Sequence, residues 1–123
     1  MTWYEKRGNK FGAKRTDYGG RMYDSKKEAG RAYELDMIQR AGQIKAVIPQ
    51  VTLQLKIKCP NQTPGCDGHK LGTYRIDFQV EHNDGTIEYE EIKGLAMPVW
   101  KLKWAALEAM TCGNEEIKLT VIR

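Results

Sequence analysis

The sequence has no apolar run approaching the ~20 residues a membrane-spanning helix needs, which excludes a transmembrane helix. Its opening, Met1-Thr2-Trp3-Tyr4, leads into charge and not into the apolar stretch of a secretory signal, so a cytoplasmic protein is expected. Cysteine is scarce. The three present, Cys59, Cys66 and Cys112, cannot all pair within one chain, which argues against a disulfide framework. In a reducing compartment they are free thiols or metal ligands. There is no internal repeat and no low-complexity tract. At 123 residues the chain has room for one domain and little for a second. Hydrophobic residues make up 41%, too many for a disordered composition.

Charge is present but unevenly placed. The whole chain carries +4. Residues 1–31 hold nine basic and four acidic groups, so this stretch is +5 and the remainder −1. A basic, glycine-punctuated leader on a near-neutral domain suits contact with a polyanion, although a solubilising tail has the same composition. Lys6, Arg7, Lys10, Lys14 and Arg15 are the candidate nucleic-acid contacts there. Trp3, Tyr4, Phe11 and Tyr18 lie among the cations. They suit stacking on exposed bases or docking of the arm onto the domain.

Residues 1–23 read as a basic arm, with a short hairpin about Asp17-Tyr18-Gly19-Gly20, and residues 24–123 as the folded domain. Ser25 and Glu28 have capping-box spacing. Helical periodicity follows through Ala29, Ala32, Leu35 and Ile38, and Gly42 suits the C-terminal cap. Val51 to Lys58, Thr73 to Val80 and Thr86 to Lys93 alternate apolar and polar residues as strands do. Pro60, Pro64, Gly65 and Gly68 break the first from the second. Pro98 suits the first turn of a helix reaching about Cys112, with Val99, Leu102, Ala106, Leu107 and Met110 as its apolar positions. Ile117 to Ile122 is a closing strand. The order is αβββαβ, an α/β (α+β) class.

The second and third strands carry the informative acids. Glu91 and Lys93 share a face because side chains alternate. Whether Asp77 joins them depends on the turn at Asn83-Asp84-Gly85. A two-residue loop would set Asp77 opposite Ile92. A three-residue loop, with Gly85 in its left-handed third position, sets Asp77 opposite Glu91, and this is the favoured register. A slip by one residue would bring Glu90 to that face instead. Carboxylates on opposed strand positions have Cβ atoms only ~4.5–5.5 Å apart. They repel unless cations neutralise them. Lys93 supplies one positive charge and a divalent cation would complete the balance. Mg²⁺ suits such a sparse set of oxygens. It would polarise a phosphoryl oxygen and acidify a water, with Lys93 orienting the water or stabilising developing charge. The alternative is a solvated strand with alternating charges.

An Asp in Tyr74-Arg75-Ile76-Asp77-Phe78, thirteen intervening residues and then Glu91-Ile92-Lys93-Gly94, on an αβββαβ order, resembles the PD-(D/E)XK nuclease superfamily. Ile76 stands where that pattern is written with proline. The chain is most similar to small phage-encoded members, through the Asn9–Thr16 run, the Asp24–Ala29 helix start, Gly42-Gln43-Ile44 and Gln50. The likeness covers nearly all of the chain except Cys59 to Gly72. It implies a restriction-endonuclease-like core, a mixed four-stranded sheet flanked by helices. It also implies that Asp77 and Glu91 bind Mg²⁺ or Mn²⁺, with Lys93 beside the attacking water. Glu28 matches an extra acid of many members, a further metal ligand or a residue that orients one, and either role is compatible with its capping-box position. Small members include Holliday-junction resolvases and related structure-specific endonucleases, commonly homodimers. A two-fold dimer offers two sites to two strands.

Cys59-x6-Cys66-x2-His69 has tight spacing only between Cys66 and His69, with Cys112 or His82 as a fourth donor, so incidental loop residues are favoured over structural Zn²⁺. Trp100 and Trp104, four apart, suit core packing or a dimer seam. Lys101 and Lys103 between them suit phosphate contact. The leading expectation is a Mg²⁺-dependent, structure-specific DNA endonuclease of phage replication or recombination. The alternatives are a non-catalytic nucleic-acid-binding module of the same fold and a factor that binds an acidic protein.

Overall fold

The computed structural model describes residues 15–59, 64–94 and 97–123. They form two compact units that divide between Ile44 and Lys45.

The first unit begins with β1 (Thr16–Tyr18) and β2 (Arg21–Tyr23), paired antiparallel. The link is Gly19-Gly20, with φ of 61° and 82°. Two successive left-handed residues are what a two-residue type I′ hairpin demands, and glycine meets that demand without steric cost. α1 follows over Lys26–Arg40. Ser25 is its N-cap, its Oγ accepting the Glu28 N–H at 3.1 Å. Ala29, Ala32 and Leu35 are its buried residues. The helix stops in a Schellman arrangement: the Gly42 N–H reaches the Gln39 carbonyl and the Gln43 N–H the Ile38 carbonyl. Gly42 has φ 78°, so the C-cap expected from its type is realised. The Tyr18 hydroxyl donates to Asp36 on α1 at 2.8 Å, and its ring meets Tyr33 edge-on at 5.9 Å. Tyr18 therefore holds the hairpin on α1, the docking role and not the stacking role.

The second unit is a four-stranded mixed sheet in the order β3-β4-β5-β6, with α2 (Pro98–Thr111) between its last two strands. β3 (Ala46–Ile57), β4 (His69–Glu81) and β5 (Ile87–Ile92) run antiparallel, and β6 (Ile117–Ile122) runs parallel to β5. A parallel pair needs a crossover, and α2 supplies it. β3 begins earlier than its alternation predicts and takes in Pro49. Proline breaks a central strand, but β3 is at the sheet edge, where a missing N–H is tolerated.

Leu55, Tyr74, Ile76 and Leu107 form the buried core of this unit, with Leu53, Tyr89, Trp100, Trp104, Ala106 and Leu119 packed around it. The two tryptophans stack at 5.7 Å and belong to this core. The expected apolar stripe of α2 is corrected: Val99 and Leu102 are exposed, while Trp100, Trp104 and Leu107 face the sheet. Indole rings cover more sheet surface than valine or leucine, so they set the buried side of the helix. No helix among the described residues is long and apolar enough to cross a membrane.

Candidate functional site

The β4–β5 turn decides the geometry. The His82 N–H reaches the Thr86 carbonyl at 2.8 Å, and the Gly85 N–H reaches the His82 carbonyl at 3.0 Å. Gly85 has φ 90°, and Asp84 Oδ1 accepts the Thr86 N–H at 2.9 Å. This is the three-residue loop, and the pairs Glu81↔Ile87, Val80↔Glu88, Gln79↔Tyr89 and Phe78↔Glu90 follow from it. The next step of this register sets Asp77 against Glu91.

At that step the ladder ends. Asp77 Oδ2 accepts the Ile92 N–H at 2.7 Å, a side chain standing in for the main-chain partner. The Lys93 N–H turns instead to the Ile122 carbonyl of β6 at 2.8 Å. On the other flank of β4, the pairing with β3 passes from Pro49↔Phe78 to Val51↔Ile76 and skips Gln50, whose φ is 57°. Asp77 thus sits where β4 loosens from both neighbours, and this lets an acid project from the middle of a sheet.

Glu91 is 5% exposed, and its Oε2 is the buried side-chain polar atom left without a hydrogen-bond partner among the described residues. Burial, and then the charge of Asp77, push its carboxyl up to about 8, against the opposing pull of Lys93. Lys93 Nζ stands 3.8 Å from Glu91 Oε1 and 5.0 Å from the centre of the Trp100 ring. A cation over an indole face is attracted by the ring quadrupole, so Trp100 steers the ammonium. The Trp100 Nε1–H donates to the Tyr74 hydroxyl at 2.7 Å. Burial, followed by the Glu91 charge, holds that hydroxyl above its ordinary pKa and keeps it protonated.

Asp77, Glu91 and Lys93 are therefore brought together. Tyr74 and Trp100 complete their surroundings, roles that sequence reasoning missed. Tyr74 lay in the quoted motif, but its partnership with Trp100, 26 residues further along the chain on α2, has no sequence signal. Glu90 is buried outside this pairing step, so the slipped register is excluded. Glu88 is buried too, with Thr120 Oγ1 at 2.5 Å and His82 Nε2 at 2.8 Å. Burial alone would raise the Glu88 carboxyl, but these two hydrogen bonds together with the charges of Lys118 and His82 outweigh it and hold the group low.

Glu28 lies in the first turn of α1, in the first unit, where its N–H engages Ser25. Arg15 is exposed and 3.9 Å from Asp24. Lys101 is exposed and Lys103 half-buried on α2. Lys6, Arg7, Lys10 and Lys14, with Trp3, Tyr4 and Phe11, lie outside the described residues.

A second cluster lies at the far end of the β3–β4 hairpin. One ligand atom from each of Cys59, Cys66 and His69 lies within 4.8 Å of the others. Cys66 Sγ and His69 Nε2 are 3.9 Å apart. Of the two fourth donors considered, His82 is engaged by Glu88, and Cys112 is exposed and outside the group.

No curated protein and no solved structure matches the chain. One family model does match, over residues 8–123, and the chain belongs to that family, described as "Protein of unknown function (DUF1064)".

Proposed function

We propose that this protein is a metal-dependent DNA endonuclease that hydrolyses phosphodiester bonds, with branched or junction DNA as its substrate and a homodimer as its working form. The observation that carries the reading is the buried, unpartnered Glu91 Oε2 beside the Asp77 carboxylate. An orphaned anionic oxygen costs several kcal/mol unless it is protonated or meets a cation. The donor set fits Mg²⁺ or Mn²⁺: hard oxygens, few in number, leaving room for water and phosphate.

Asp77 and Glu91 would hold the cation. When bound, it supplies a Lewis acid for the phosphoryl oxygens and lowers the pKa of a water. The protein's own groups do the rest. Asp77 is fixed by the Ile92 N–H and so presents its carboxylate in one orientation. Lys93, steered by Trp100 and Glu91, offers a mobile positive charge to a water or to the developing pentacovalent phosphate. The Tyr74 hydroxyl, held protonated, closes the apolar side of the site. Lys101, Lys103, Arg15 and the basic residues of the leader suit the flanking phosphates. Glu28 enters this reading as an additional acid, on the strength of the superfamily resemblance alone.

The test uses four-way junction, flap, duplex and single-stranded DNA with Mg²⁺, Mn²⁺ or EDTA, comparing wild type with Asp77→Asn and Lys93→Ala. Both variants are expected to lose cleavage and retain binding. Cleavage that survives EDTA and Asp77→Asn would show that the chemistry lies elsewhere. Tight junction binding with no cleavage of any substrate would favour the non-catalytic binding module.

A further inference from the structure

The second cluster uses none of the nuclease residues. Cys59 lies two residues beyond the end of β3, and His69 is the first residue of β4, directly opposite Ile57. Cys66 precedes His69 by three residues. The chain therefore leaves the hairpin with one donor and returns with two. What closes the distance is Gly68, at φ 101°. A Cβ there would lie 2.8 Å from the Ile57 carbonyl oxygen and 3.7 Å from the Lys58 Cα, both backbone atoms. Only glycine allows this segment to fold so tightly onto the end of β3, and that approach carries Cys66 and His69 towards Cys59.

Two thiols and an imidazole within one ligand sphere are soft and borderline donors, of the kind that select Zn²⁺ over Mg²⁺. Neither thiol is in a disulfide, both are half-buried, and the histidine is at the surface. We infer that Cys59, Cys66 and His69 bind a Zn²⁺ ion that clamps the loop end of the β3–β4 hairpin, with water in the fourth position. Binding releases the two thiol protons to solvent and leaves a neutral cluster of two thiolates and one dication. The site is separate from the Asp77 pair: it lies at the loop end of the long hairpin, and Asp77 lies well inside β4, eight residues beyond His69.

The protein is purified under reducing conditions, stripped with a chelator, and titrated with Zn²⁺ or with Co²⁺ as a spectroscopic stand-in. Stoichiometric Zn²⁺ is expected, with a raised Tm on loading. Co²⁺ should give tetrahedral d–d bands together with thiolate charge-transfer absorption. Cys59→Ser, Cys66→Ser and His69→Ala should each weaken or abolish these signals, while Cys112→Ser and Asp77→Asn should keep them. Absence of stoichiometric metal in folded, reduced wild type would overturn the inference. So would a double Cys59→Ser/Cys66→Ser variant that binds Co²⁺ with unchanged bands, or a loss in Cys112→Ser as deep as in Cys66→Ser. Folding of each variant is checked by circular dichroism. The single-ligand variants leave Asp77, Glu91 and Lys93 intact, so cleavage and metal loading fail independently if only one reading is wrong.

Discussion

The middle of β4 and its beginning form an instructive pair. At the middle, Asp77 meets Glu91 because two strands are in a definite register. At the beginning, His69 meets Cys66 and Cys59 because a glycine lets one backbone press against another. Register is a counting problem: alternation and turn length fix which residues face each other. Close approach is a three-dimensional event, and a six-residue gap between cysteines does not announce it. Charge differs as well. The acid pair gathers two carboxyl groups and one ammonium, with Glu91 buried, whereas the second cluster gathers two half-buried thiols and an exposed imidazole.

Exchanging the two sites' variants breaks the comparison most forcefully. Asp77→Asn is expected to lower the rate of Mg²⁺-dependent cleavage by about a thousandfold or more, with zinc content unchanged. Cys66→Ser should do the reverse, losing zinc while retaining cleavage at temperatures where the fold persists. Parallel nuclease assays and metal analysis read both, and a variant that damages both sites would show that they are coupled.

Glu91 gives the next effect. Its carboxyl is pushed up to about 8 in the metal-free protein, against an ordinary 4.5. The folded state then holds a proton that the unfolded state has released between these values. Stability contributed by the neutral carboxyl is complete below 4.5, falls as pH rises towards about 8, and levels off above it. The loss is on the order of a few kcal/mol, by the linkage between pKa and stability. Denaturant titrations in EDTA across this range should show the slope in wild type and a flat profile in Glu91→Gln. Saturating Mg²⁺ should flatten the wild-type curve at its alkaline end, because it favours the ionised carboxylate.

Gly68→Ala probes the other site through backbone alone. The added methyl meets the Ile57 carbonyl and a φ that L-residues resist, for a cost of about 1–3 kcal/mol and a weakened zinc affinity. Chemical denaturation with and without Zn²⁺ measures both. The smallest effect is expected at Ser25→Ala, where loss of the cap to the Glu28 N–H should cost about 1 kcal/mol and leave cleavage and zinc content unaltered.

Much of the molecule was legible in advance for reasons these residues make plain. The α1 boundaries follow from Ser25 and Gly42, whose roles are local. The β4–β5 register follows from Gly85, because only the three-residue turn uses its left-handed freedom there. The early start of β3 was not legible, since Pro49 reads as a breaker until the strand is known to lie at an edge. On α2 the packing of Trp100, Trp104, Ala106 and Leu107 agrees with the sequence, while Val99, Leu102 and Met110 are exposed because the indole rings set the buried side. Tyr74 and Trp100 were invisible as partners of Lys93 and Glu91 because their meeting depends on how α2 lies across the sheet. The nuclease reading rests on a superfamily resemblance and on the Asp77, Glu91 and Lys93 geometry, and the cleavage assay decides it.

The hydrogen bond from the Ile92 N–H to Asp77 has a bearing on how the protein could lose one trait and keep another. Asparagine retains a carbonyl oxygen able to accept that N–H, while its amide replaces the second oxygen with a donor that repels cations. Under the proposed function, a single base change at this codon would therefore silence hydrolysis and leave the seam between the two strands intact. The same substitution would then separate loss of activity from loss of fold in a single step.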